Sequence, residues 1–159
     1  MLIEGGRVLK IEANSPARGR QEIAASGHWV MPGAIDIHTH YDAEVEVAPG
    51  LLESLQHGVT SLIFGNCSLS LALGNAEDMI DLFARVENLP RATLAKWLDG
   101  KVDWHTPGQY YEHLERLALG PNIATLMGHS NLRLAVLGKT RSLKPVSYTH
   151  LRAHETRGN

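Results

Sequence analysis

The segment from Val30 to Asp42, Val-Met-Pro-Gly-Ala-Ile-Asp-Ile-His-Thr-His-Tyr-Asp, constrains this chain more than any other part of it. Pro32 has no N–H for a ladder and Gly33 no side chain to pack, so the pair marks the start of a strand rather than its interior. Ala34, Ile35 and Ile37 then supply residues that suit a pleated, half-buried backbone. Side chains alternate along a strand, which puts Asp36, His38 and His40 on one face and Ile35, Ile37 and Thr39 on the other. Two imidazoles therefore leave the C-terminal end of one strand side by side. Neutral imidazole nitrogen binds zinc at about 2.0–2.1 Å, which makes the pair a candidate metal site. A His-x-His also occurs on strands that hold no metal, so this spacing does not decide the matter alone.

Downstream, further strands alternate with helical segments. Leu51 to Gln56 has the pattern of a short helix, with Leu51, Leu52 and Leu55 on one side and Gly58 as its stop. Val59 to Gly65 is a second strand ending at Asn66 and Cys67, and Ser61, Ile63, Gly65 and Cys67 share one parity. With that parity turned inward, Cys67 reaches the same rim as His38 and His40. Asn75 caps a helix over Ala76 to Glu87, whose apolar stripe is Met79, Ile80, Leu82, Phe83 and Val86. Pro90 ends it, and Ala92 to Leu98 forms a shorter helix. Thr106, Pro107 and Gln109 combine a capping box with proline at the first helical position, predicting a helix over Pro107 to Ala118 with Tyr110, Leu114 and Leu117 inward. Asn122 to Met127 is a third strand, ending at Gly128 and His129. This order implies an α/β fold of parallel strands joined by crossover helices. Ahead of Val30, the sequence offers a short strand over Arg7 to Ile11 and a polar loop over Asn14 to Arg20.

The chain has 159 residues and 17.4 kDa, enough for one ordinary domain. A closed (β/α)8 barrel typically takes about 250 residues. A net charge of -2 and a pI near 6.5 give no reason to expect nucleic acid or an anionic membrane as partner. No apolar run approaches the roughly 18 residues of a membrane span, and Met1 to Lys10 lacks the apolar core of a signal peptide. Cys67 is the single cysteine, so no internal disulfide forms, the expected compartment is the cytoplasm, and Cys67 is either buried filler or a ligand.

The Pro-Gly, the strand, the His-x-His and the acidic Asp42 together resemble the opening barrel strand of the amidohydrolase superfamily. Gly65-Asn66-Cys67, with Gly58-Val59-Thr60 before it and Gly128-His129-Ser130-Asn131-Leu132-Arg133 later, resembles the D-aminoacylase branch, the N-acyl-D-amino-acid deacylases. That branch usually carries glycine after the cysteine, where Ser68 stands here. The resemblance implies the N-terminal part of a TIM-like (β/α)8 metal-dependent hydrolase, with residues 31–145 a truncated barrel of about three strands and residues 1–30 a remnant of a small β-sandwich. It implies that Cys67 ligates a tightly held zinc, with His38 and His40 completing that site or a second, weaker one; Asp42 and His129, by their places at strand ends, are candidates for orienting a ligand or contacting substrate. The implied reaction is metal-assisted hydrolysis of a linear amide, removing the acyl group from a small N-acyl-(D-)amino acid. The general base and the remaining ligands are expected on later strands.

Residues 146–159, Val-Ser-Tyr-Thr-His-Leu-Arg-Ala-His-Glu-Thr-Arg-Gly-Asn, have no apolar period and resemble the translation of a DNA sequencing adapter. On that reading they are a non-native tail, His150 and His154 are no ligand candidates, and the natural frame is cut near Lys144; the β-sandwich remnant, with almost nothing ahead of it, separately suggests that Met1 is an internal start. Two alternatives stand beside the deacylase. One is a cyclic amidohydrolase of the dihydropyrimidinase or dihydroorotase type, which shares the His-x-His strand and does not need Cys67. The other is a truncated product with no activity.

Overall fold

The structure, a computed structural model, describes residues 1–16 and 18–144; the segment 146–159 lies outside them. It divides into two compact units, Met1–Pro32 and Gly33 onward. In the first, β1 (Leu2–Glu4) pairs antiparallel with β2 (Arg7–Lys10) across Gly5 and Gly6. Both glycines have positive φ, 57° and 74°, as a tight primed hairpin turn requires. The sequence signals β2 but not β1, whose three residues are too few for a visible alternation.

The second unit is built on a parallel sheet in the order β3 (Ala34–Asp36), β4 (Val59–Phe64), β5 (Asn122–Thr125). The chain between these strands forms α1 (Leu52–Gln56), α2 (Ala76–Val86), α3 (Arg91–Leu98) and α4 (Pro107–Glu115), and α5 (His129–Ser142) follows β5. Strand–helix alternation thus gives the parallel topology that the sequence implies. Gly33 starts β3 where a Cβ would lie 2.0 Å from Thr60 Oγ1, so only glycine lets the two strands meet there.

Helix signals translate closely into structure. Asn75 Oδ1 accepts the Asp78 N–H at the start of α2, and the Thr106/Gln109 capping box is formed on both sides at α4. Leu62 and Phe64 of β4 pack with Met79 and Phe83 of α2, Leu94 and Leu98 of α3, and Tyr110 and Leu114 of α4, around a fully buried Trp104. Two expectations need correction. Leu52 is exposed while Leu51 and Leu55 turn inward, because positions four apart share a helix face and adjacent ones do not. And α5 has no counterpart in the sequence reading: its apolar residues are spread round the helix, and Gly138, at φ 71°, interrupts it.

Candidate metal centre

His38 and His40 stand just past the formal end of β3, but the backbone there still follows β4. Thr39 donates to Ile63 O through its N–H (3.2 Å) and through its hydroxyl (2.9 Å). Thr39 is thereby buried against the sheet, and alternation sends Asp36, His38 and His40 to the opposite side. Asp36 Oδ1 accepts the His38 N–H at 3.0 Å, and the two imidazoles meet edge to face with centroids 5.4 Å apart.

Cys67 arrives by a different route from the one strand parity suggests. Beyond Phe64 the backbone turns through left-handed conformations at Gly65 (φ 76°), Cys67 (φ 53°) and Ser68 (φ 72°). For cysteine and serine such conformations cost on the order of 1–3 kcal/mol each, and they persist only where the surroundings impose them. The turn leaves Cys67 exposed, which removes the buried-filler reading, and sets its Sγ 3.2 Å from His38 Nε2. One ligand atom each from His38, His40 and Cys67 lies within 4.8 Å of the others. Ligand atoms on one tetrahedral zinc, with bonds of about 2.0–2.3 Å, stand about 3.3–3.8 Å apart, so the trio has to draw in by up to about 1 Å to close on one ion. Two imidazoles and one thiolate also form a donor set that suits zinc, with room for a fourth ligand.

Around this triad the structure adds groups that the sequence did not single out. Glu87, at the end of α2, has Oε1 3.4 Å from His40 Nδ1, an ion-pair distance without hydrogen-bond geometry. A pocket of about 400 Å³ adjoins the imidazoles, bounded by Asp36, His38, His40, Glu44, Glu87 and Trp97 among others. Asp42 is fully buried behind the site, where Oδ2 accepts the Gly65 N–H at 3.3 Å. Burial pushes its carboxyl up to about 7, against the opposing pull of the Gly65 and Leu71 amides. Asp42 therefore ties the His-x-His segment to the start of the cysteine turn.

A second buried pair holds the chain just beyond. Glu46, in the short 3-10 turn Glu44–Glu46, has its carboxylate oxygens 3.1 and 2.9 Å from His113 Nε2, while Lys101 Nζ donates to the Glu46 carbonyl. Trp104 packs against His113 with ring centroids 4.5 Å apart and planes tilted by 41°. Burial pushes the Glu46 carboxyl up, opposed by its bond to His113. His129, by contrast, is exposed at the start of α5, and its imidazole makes no hydrogen bond among the described residues.

No family model matches the chain. An uncharacterized protein of Mycobacterium tuberculosis is 53% identical over 120 residues, which make up 76% of this chain and 20% of that protein. N-acyl-D-aspartate deacylase of Alcaligenes xylosoxydans xylosoxydans is 31% identical over 143 residues, 88% of this chain and 26% of the enzyme. A crystal structure of D-aminoacylase, described as defining a novel subset of amidohydrolases, superimposes with a TM-score of 0.50 at 30% identity, over 77% of this chain and 23% of that one. The chain belongs to the D-aminoacylase branch of the amidohydrolases. It spans about a fifth to a quarter of the length of the curated relatives it matches. Another structure of D-aminoacylase is described in terms of a binuclear metal centre, with one-metal activation and second-metal attenuation. Among the described residues, His38, His40 and Cys67 form the group of side chains close enough together that they could hold a metal ion.

Proposed function

We propose that this chain carries the first metal-binding segment of a zinc-dependent deacylase of N-acyl-D-amino acids, with His38, His40 and Cys67 as ligands. The observation that carries the proposal is the approach of the Cys67 thiol to the imidazole pair, Sγ 3.2 Å from His38 Nε2. A cyclic amidohydrolase has no need of that sulfur, and the relatives with named activities that match most of this chain are N-acyl-D-aspartate deacylase, N-acyl-D-glutamate deacylase and D-aminoacylase. We read residues 31–145 as the opening of a (β/α)8 barrel, residues 1–30 as part of a β-sandwich, 146–159 as a non-native tail and the compartment as the cytoplasm. In favour of an unfinished barrel, β3 is an edge strand among the described residues, and its Ile35 and the Ile37 just beyond it are 65% and 68% exposed, uncovered apolar side chains of the kind a further strand and helix would bury.

Zinc held there would supply Lewis acidity toward the acyl carbonyl and a hydroxide nucleophile near neutral pH. The chain's own residues supply the rest of what can be assigned. His38 and His40 present their ring nitrogens from a strand end, Cys67 presents its sulfur from a rigid turn, and Asp42 joins the two backbones through the Gly65 amide. The pocket beside the imidazoles, with Trp97 and Leu89 against Glu44 and Glu87, has the size and mixed polarity to receive part of a small acylated amino acid. The chain alone is expected to bind metal but not to hydrolyse N-acetyl amino acids, since its base and further ligands are assigned to later strands.

Metal analysis of the chain and its Cys67→Ala variant, followed by N-acetyl-D-amino acid turnover with the uninterrupted gene product, tests this reading. Sulfur-dependent zinc uptake and deacylation are expected. Unchanged zinc content without Cys67 would return the assignment to the cyclic type.

A further inference from the structure

The ten residues after β4 carry two strained non-glycine positions, Cys67 and Ser68, yet the bonds within that loop do not explain why it keeps this shape. Its internal support is one turn bond, Leu69 N–H to Asn66 O at 3.0 Å, together with Asn66 Nδ2 to Ile63 O at 2.9 Å and the Ala72 N–H to Ser70 Oγ at 2.9 Å. Asp42 takes the Gly65 and Leu71 amides and Trp104 Nε1 donates to Leu71 O at 2.6 Å, but the ties at Ser68, Ser70 and Leu73 come from a segment about sixty residues away, the first turn of α5. The Ser130 N–H donates to Ser68 O (3.1 Å) and Ser68 Oγ (2.8 Å), and the two serine hydroxyls are 2.9 Å apart. Asn131 is 2% exposed and uses both ends of its amide, with Oδ1 accepting the Ser70 N–H at 2.9 Å and Nδ2 donating to Leu73 O at 3.2 Å.

The approach is as close as a backbone can make it. A Cβ on Gly128, the residue leading into α5, would lie 2.6 Å from Asn131 Oδ1 and 2.7 Å from Ser68 O. A buried amide with donor and acceptor both satisfied by one loop fixes that loop in one register. Five bonds from another element thus hold the loop from Ser68 to Leu73, and with it a conformation at residue 68 that serine does not adopt freely.

We propose that Asn131 and Ser130 are positioning residues for the Cys67 thiolate, so that α5 acts as a clamp that presets the sulfur for metal. This rests on the reading of Cys67 as a ligand. Without the clamp, residues 67 and 68 relax toward negative φ and the sulfur moves off the imidazole pair, so a metal ion has to order the loop as it binds. Outer partners of this kind typically account for about 10–100-fold in metal affinity. His129 shares the same turn but is not one of the clamp's contacts.

The experiment is a cobalt(II) titration of the 159-residue chain, following the thiolate-to-cobalt charge-transfer band. Because Cys67 is the single cysteine, that band reports on it alone. A second readout uses no metal: the rate at which metal-free Cys67 reacts with an aromatic disulfide at fixed pH. Asn131→Ala is expected to weaken cobalt binding about 10–100-fold, to reduce the charge-transfer band at saturation and to speed thiol modification, with the far-ultraviolet circular dichroism preserved. Ser130→Ala should act in the same direction with smaller effect, and Ser130→Thr should restore the parental values. Should Asn131→Ala fail to fold, the Ser130→Ala and Ser130→Thr pair decides. Parental cobalt affinity, band and thiol rate in the Asn131→Ala and Ser130→Ala variants would overturn the clamp. If the parental chain takes up no cobalt through sulfur, the ligand assignment itself falls, and the clamp is judged on thiol kinetics, where equal rates in all variants sink it.

Discussion

His38 and His40 stand on backbone that simply continues a strand, whereas Cys67 stands on backbone bent through three left-handed residues and tied down from another helix. The imidazoles inherit their direction from the pleat, since burial of Thr39 against Ile63 leaves its neighbours no other side to occupy. The sulfur has no such default. Its place depends on Gly65 facing the buried Asp42 and on Ser68 and Ser70 facing α5. A strand end therefore provides ligand geometry from local pattern, while a turn provides it through ties distant in sequence. The imidazole side also needs an anchor, because the chain leaves the strand at once, and the Glu46–His113 pair holds it a few residues further on.

That anchor gives the largest effect by which the contrast can be broken. Glu46 has no exposed side-chain surface, so His113→Ala leaves a buried carboxylate unpaired and removes the ring under Trp104. A loss of about 3–5 kcal/mol in stability at pH 7 is expected from denaturant unfolding. The sign with pH follows from the raised folded-state value of Glu46. A raised carboxyl destabilises the fold only when ionised, so the penalty is absent below its ordinary value of 4.5 and grows as pH rises through the folded one. The gap between the variant and the parent should accordingly narrow toward acid pH. A loss below about 1 kcal/mol, flat with pH, would mean that the loop after His40 is held some other way.

Cys67→Ala comes next. Apparent binding energies of roughly 10–16 kcal/mol for four-ligand zinc sites put one ligand at about 3 kcal/mol, or more than about 100-fold in zinc affinity. Competition with a chromophoric chelator measures this, and His38→Ala and His40→Ala set the scale. If the imidazole variants lose far more than the sulfur variant, the thiol is an onlooker and the strained turn needs another explanation.

Much of the fold could be read directly because its signals are local. The Thr106/Gln109 capping box, the Asn75 cap, the Pro32-Gly33 strand start and the Met79/Ile80/Phe83 stripe are each made by residues a few positions apart. That His38, His40 and Cys67 come together was legible through resemblance and parity, although parity was the wrong reason for Cys67, since left-handed backbone cannot be seen in Asn-Cys-Ser. What stayed hidden is nonlocal and polar. Glu46 with His113, Asn131 with Ser70 and Glu87 with His40 pair residues 67, 61 and 47 positions apart, and each looks like an ordinary surface residue on a helix or turn until the chain is folded. His113 did carry a faint signal, lying three residues after Tyr110 and one before Leu114 on the apolar side of a well-capped helix.

Glu87→Gln is expected to act more weakly than the α5 clamp. At 3.4 Å from His40 Nδ1 and without hydrogen-bond alignment, Glu87 biases the ring through charge more than through direction. A fall in zinc affinity below about tenfold is expected, under the usual range for outer partners. A larger fall would show that the imidazole arm also depends on a distant tie, and the contrast between the arms would shrink.

His129→Ala gives the smallest effect and the cleanest separation. It lies one residue before Ser130, so a clamp that worked merely through the presence of α5 would respond to it, whereas one that works through the Ser130 and Asn131 bonds would not. The His129 imidazole is exposed and without a hydrogen bond among the described residues, so stability should stay within about 0.5 kcal/mol of the parent and cobalt affinity and band should be unchanged. With metal binding intact, a change in deacylation by the uninterrupted gene product could then be assigned to substrate contact, as a rise in KM or a fall in kcat at full metal occupancy. A shifted cobalt spectrum would instead place His129 among the groups that shape the thiolate arm.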